Sequence, residues 1–193
     1  MRVSKKTAAE NRRRILTAAS RLIREQGING AGVDSITAAA GLTHGAFYSQ
    51  FDSKEALVEE VLRLVLDESY ELWARRASRK GKRDALETII DGYLSPRHQK
   101  SLGEGCAVAA LGSDLPRQPT MVRRAFTEKL EESLAILASL VPAKAASRRD
   151  DVAIQLFSSM LGGLILSRAV DDQSLSRRIL RTVADELKSM PRS

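Results

Sequence analysis

Apolar residues recur at three- and four-residue intervals along almost the whole chain, and no stretch shows the sustained alternation that a half-buried strand requires. The pattern predicts an all-α protein of about nine helices. Ile15, Leu16, Ala19, Leu22 and Ile23 form one stripe of a first helix over residues 7–26, and the glycine-dense connector Gly27-Ile28-Asn29-Gly30-Ala31-Gly32 ends it. Two short helices are expected next, over 33–41 and 44–51, parted at Gly41-Leu42-Thr43, with the Thr43 hydroxyl placed as a cap for the second. Asp52 or Ser53 then caps a long helix over 54–78, whose inward face the spacing assigns to Leu57, Val61, Leu64, Val65 and Leu72, with Glu68 as a polar interruption. A further helix over 84–94 buries Leu86, Ile89, Ile90 and Tyr93 and stops at Ser95-Pro96. Residues 97–105 read as a loop. Helices over 105–111, 120–140, 147–170 and 174–189 complete the chain, with Pro142 closing the second of these four.

The two short helices and their tight glycine turn fit the helix-turn-helix plan, in which the second helix enters the major groove of DNA. Ile36, Ala40, Leu42, Phe47 and Phe51 supply the small core that fixes the angle between them, so both phenylalanines are read as structural. Thr43, His44, Gly45, Tyr48, Ser49 and Gln50 are left facing outward. Hydroxyl and ammonium groups suit phosphates, which assigns Thr43, Tyr48 and Lys54 to the backbone. His44, Ser49 and Gln50 present edges that read bases, and Gly45 lets the main chain approach closely.

Charge placement agrees with this. The net charge is +7, and Arg2, Lys5, Lys6, Arg12, Arg13, Arg14, Arg21 and Arg24 against Glu10 account for all of it. Such a cluster attracts a polyanion, although a solvated helix face would have the same composition. Cys106 is the single cysteine, so an intrachain disulfide is excluded and a cytoplasmic setting is expected. No secretory leader is expected, and the richest apolar run, Met160 to Leu166, is far shorter than the ~20 residues a spanning helix needs. With His44 and His98 as the only histidines, and without a phosphate-binding or dinucleotide motif, the expectation is no metal, no cofactor and no enzymatic activity.

The segment Gly41-Leu42-Thr43-His44-Gly45-Ala46-Phe47-Tyr48-Ser49-Gln50-Phe51-Asp52-Ser53-Lys54-Glu55-Ala56-Leu57 resembles the signature of TetR-type regulators. With the first helix the likeness covers roughly residues 10–60; beyond that it is architectural, with a weaker local likeness from Gly162-Gly163-Leu164 to Val170. It departs where the family often carries Ser or Thr ahead of helix two, since this chain has Ala31 and Gly32. Helix two is poor in basic groups, leaving Ser35 or Thr37 as its only expected contacts. The resemblance implies a DNA-binding domain over 1–53 and an effector-binding and dimerisation domain over 54–193. It implies a homodimer on a palindromic double-stranded operator, acting most often as a repressor, with no membrane partner. It places the dimer surface on the last two helices, at Leu156, Met160, Gly163, Leu164, Ser167, Leu175, Ile179, Val183 and Leu187. It also implies a small-molecule effector in the C-terminal body, lined by Trp73, Ile90, Tyr93, Cys106, Ala109, Ala110, Met121, Val122 and Phe126. An alternative trigger is the Cys106 thiol itself, because a helix start favours the thiolate and so electrophile or oxidant sensing.

Overall fold

The computed structural model describes residues 5–79, 81–141 and 147–189. Arg2 of the basic cluster and the turn expected at Pro142 lie outside the described residues. Within them the chain is all-α, with ten α-helices and one 3-10 turn. In order these are α1 (Lys5–Gly30), α2 (Val33–Ala39), α3 (His44–Tyr48), α4 (Lys54–Arg79), α5 (Lys82–Tyr93), α6 (Pro96–Lys100), α7 (Ala107–Leu111), the 3-10 turn Leu115–Arg117, α8 (Thr120–Leu140), α9 (Arg149–Ala169) and α10 (Gln173–Ser189).

Helix α6 is the element that the apolar pattern did not announce, since it carries no apolar stripe. Its start is set by polar chemistry: the Ser95 hydroxyl accepts the His98 amide at 3.1 Å, and Pro96 occupies the first turn with its φ already suited to a helix. The same Ser95-Pro96 pair that closes α5 therefore opens α6. In α4 the buried path runs through Leu57, Val58, Val61, Leu62, Val65 and Leu66 to Trp73, whereas Leu64 and Leu72 are exposed. Leu64 and Leu72 were expected inside; each sits one residue from the buried track, and one residue turns a helix by about 100°.

Packing divides the chain into two units. One comprises the residues up to Val65 together with Cys106–Thr127; the other comprises Leu66–Gly105 and the residues from Glu128 onward. In the first unit, α1 packs on α2, α3 and α7. Its helical path breaks at Gly27, which has φ 79°, and a Cβ there would lie 2.9 Å from the Asp114 carboxylate. That carboxylate accepts the Ile28 amide at 3.0 Å and an Arg117 guanidinium N–H at 2.8 Å, tying the end of α1 to the turn before α8. In the second unit, α9 and α10 pack along each other and α10 also meets α5. Gly163 makes this possible, because a Cβ would come within 3.2 Å of Val183 and 3.3 Å of Leu94.

Candidate nucleic-acid interface

The turn between α2 and α3 is built from backbone hydrogen bonds and one glycine. The Gly41 amide donates to the Ala38 carbonyl and the Leu42 amide to the Thr37 carbonyl, each at 2.9 Å, while Gly41 adopts φ 62°. This is the left-handed helix terminator that glycine makes cheaply. Ile36, Ala40, Phe47 and Phe51 are buried around it, as the spacing predicts, and Leu42 is half-buried. Thr43 does occupy the N-cap of α3, but its hydroxyl makes no capping bond to the helix. The cap of α4 belongs to Ser53 rather than Asp52: its Oγ accepts the Ala56 amide at 3.1 Å.

Two arginines of the basic first helix, Arg12 half-buried and Arg14 at the surface, brace this module. Arg14 donates to the Gly41 carbonyl at 3.2 Å, holding the turn. Arg12 donates to the Gln50 carbonyl at the end of α3 and pairs with the Glu60 carboxylate on α4, with its guanidinium 4.3 Å over the Phe51 ring. Sequence reasoning counted both only as part of the positive field. A guanidinium in a run of three arginines gives no signal of whether it faces water, phosphate or a carbonyl of its own chain.

Of the expected DNA-contacting residues, Thr43, His44, Gly45, Tyr48 and Ser49 stand exposed, and Gln50 and Lys54 are half-buried. Tyr48 keeps 56% of its surface in solvent although it neighbours the buried Phe47. A Cβ on Gly45 would meet nothing within 4 Å, so this position of α3 offers bare main chain. His44 is held by Asp34, whose Oδ1 lies 2.5 Å from Nδ1, and by the Tyr48 ring at 5.2 Å. Thr37 is a correction: it is only 3% exposed, and its hydroxyl donates to the Val33 carbonyl one turn back, so it has no surface to offer DNA. Ser35 is exposed, with its hydroxyl donating to the Gly32 carbonyl.

The profile of a family described as bacterial regulatory proteins, tetR family, matches residues 15–61, which contain this module from within α1 to within α4. The transcriptional repressor KstR2 of Rhodococcus jostii (strain RHA1) is 36% identical over 80 residues, which are 41% of this chain and 39% of that protein. The transcriptional regulator AcrR of Shigella flexneri is 40% identical over 63 residues, 33% of this chain and 29% of that one. Residues 15–61, the module built around α2 and α3, thus match the tetR family of bacterial regulatory proteins.

These matches span about two fifths and under a third of the two relatives' lengths. For the rest of the molecule the likeness is one of fold: the crystal structure of E. coli NemR in its reduced form superposes with TM-score 0.80 at 19% identity, covering 92% of this chain and 95% of NemR. The tetR family is one of regulators, not enzymes.

Outside the DNA-binding module the expected residues scatter. Trp73, Ile90 and Tyr93 are buried in the second unit, where Trp73, Tyr93 and Phe157 pack edge to face with centroids 5.9–6.2 Å apart. Cys106, Ala109, Ala110, Met121, Val122 and Phe126 belong to the first unit. Val122 is buried, Cys106, Ala109, Ala110 and Phe126 are half-buried, and Met121, in the first turn of α8, is 47% exposed. An open groove of about 710 Å³ runs along α10, lined in part by Asp91, Leu94, Arg178 and Arg181, and none of these expected effector residues lines it.

The dimer residues need a larger correction. Leu156, Met160, Gly163, Leu164 and Ser167 are buried within the protomer, and so is Leu187 on α10. Leu175, Ile179 and Val183 are half-buried. The apolar residues that α9 exposes are instead Ile154, Ile165 and Leu166, with open space over Gly162. Sequence could not separate the two faces because α9 is apolar on both. By length and mean hydropathy α9 would suffice to cross a membrane, a test that a helix with a buried inner face such as this one also passes.

Proposed function

We propose that the chain is a ligand-responsive transcriptional regulator of the cytoplasm, a repressor that binds a palindromic operator as a homodimer and is released by a small molecule held in the C-terminal body. The reading rests chiefly on one observation: α3 presents Thr43, His44, Gly45, Tyr48 and Ser49 together on the exposed side of a module whose other side is locked by Phe47, Phe51 and two arginines. Thr43, Tyr48 and Lys54 position the protein on phosphates; His44, Gly45, Ser49 and Gln50 read base edges. The division of labour follows a boundary near residue 53, with residues 1–53 for DNA and 54–193 for effector and dimer.

A single helix-turn-helix reads only a few base pairs, so a second copy is required for a specific site. Its contact surface is the outer face of α9, Ile154, Gly162, Ile165 and Leu166, continued by Leu175, Ile179 and Val183 of α10. Exposed aliphatic residues grouped on one helix in this way mark a surface that is covered in the working assembly. A second trigger, chemical modification of the Cys106 thiol, is favoured by its partial exposure in the half-turn before α7.

Enrichment of bound fragments from sheared genomic DNA tests the function. The wild-type chain is expected to enrich discrete sites, and His44→Ala or Gln50→Ala to relax preference at one position per half-site, costing roughly 1–3 kcal/mol there. Even coverage of the genome, with equal losses on all sequences, overturns the reading. For the thiol trigger, operator release by an alkylating agent should vanish in Cys106→Ser; unchanged release removes Cys106 from the mechanism.

A further inference from the structure

We infer that Asp34, on α2, is a positioning residue that selects which hydrogen-bonding face His44 presents to a base. The inference rests on the reading of α3 as the base-reading helix. The Asp34 carboxylate reaches across the turn to His44, ten residues on, and its Oδ1 lies 2.5 Å from the imidazole Nδ1. A carboxylate only accepts, so the nitrogen that faces it carries the hydrogen. In the neutral ring that choice leaves Nε2 with a lone pair, and Nε2 becomes an acceptor. The Tyr48 ring, 5.2 Å from the imidazole and tilted 46° to it, limits rotation on the other side.

An acceptor at Nε2 suits the amino groups of the major groove, N4 of cytosine or N6 of adenine. It is mismatched to the N7 and O6 acceptors of guanine. Without Asp34 the imidazole takes either tautomer, and its Nε2–H form donates to guanine as readily as the other form accepts from adenine or cytosine. Asp34 therefore converts an ambiguous reader into one of fixed sense. The pair contributes little as a surface ion pair, since the two side chains are 87% and 53% exposed and water competes for both. Its effect emerges where DNA excludes that water.

Helix two thus takes part in recognition without touching a base. That explains how a helix whose exposed positions include Ala38 and Ala39 still shapes specificity.

The test combines a spectroscopic readout with a binding one, both at pH 8. In the wild-type protein, long-range proton–nitrogen spectra should show His44 with hydrogen on Nδ1 and none on Nε2; in Asp34→Ala a population with hydrogen on Nε2 should appear beside the Nδ1–H form. Selection from random duplexes should then give wild-type sites with adenine or cytosine at the His44 position, and variant sites whose discrimination against guanine there drops about tenfold. The inference is overturned by an Nε2–H or doubly protonated His44 in the wild type. It is equally overturned by a variant that keeps the wild-type base preference. If the wild type selects no sequence at all, the reading of α3 fails, while the nitrogen signature still decides whether Asp34 holds the ring.

Discussion

Arg12 and Thr37 show how differently two polar residues of one module are used. Arg12 joins α1, the last carbonyl turn of α3 and α4 through one guanidinium, so Arg12→Ala leaves Glu60 and the Gln50 carbonyl without that donor and uncovers Phe51. The expected cost is about 1–2 kcal/mol, read as a lower denaturant midpoint, together with weaker binding to every DNA sequence alike. Thr37→Val keeps the shape of a buried side chain and removes only local bonds to the Val33 and Asp34 carbonyls, so DNA affinity should not change. A loss of affinity in Thr37→Val with stability intact would restore Thr37 as a contact. The outward set on α3 was legible because Phe47 and Phe51 anchor the helix phase. Arg12, Arg14 and Asp34 were not, since their partners lie 10 to 48 residues away in sequence.

Helices were legible wherever an apolar stripe met a recognisable stop. The boundaries of α5, α8 and α10 fall within two residues of the expected ones, while α6 had only its Ser95-Pro96 start to announce it. What holds α6 is a set of polar contacts within its unit. Arg168 of α9 donates to the carbonyls of His98, Gln99 and Ser101, and His98 Nδ1 donates to the Tyr93 carbonyl at 2.7 Å with its ring edge-on to Tyr93. Burial holds the His98 imidazole below its ordinary value of 6.5; the Tyr93 carbonyl opposes this, and the positive charge of Arg168 adds to it. A lowered value in the folded state means that the unfolded chain takes up the proton first. This contribution to stability is therefore complete above pH 6.5 and is lost as pH falls from there through the lower folded value. Denaturant midpoints measured between pH 8 and 5 should decline over that window, and His98→Gln should remove that part of the decline. An identical pH profile in the variant would show that His98 plays no part in it.

At the scale of the whole molecule, a palindromic site calls for a symmetric pair of chains. Leu166 is 57% exposed on the outer face of α9, and Leu166→Glu places a charge where a second copy is proposed to sit. Sedimentation should show the wild type as two chains per particle and this variant as one, with the helical content of both the same. The body's architecture was readable as a succession of amphipathic helices, yet the inner and outer faces of α9 were not. Leu156, Met160 and Leu164 are as apolar as Ile154, Ile165 and Leu166, and the choice between them is made by α10, whose Val183 meets Gly163. The central claim, a two-fold DNA reader, is tested most directly by selection of bound duplexes from a random pool. The account predicts a palindrome, two identical half-sites whose centres lie about one helical turn (~34 Å) or more apart. A pool that stays random, with binding that simply falls as salt rises, would contradict it.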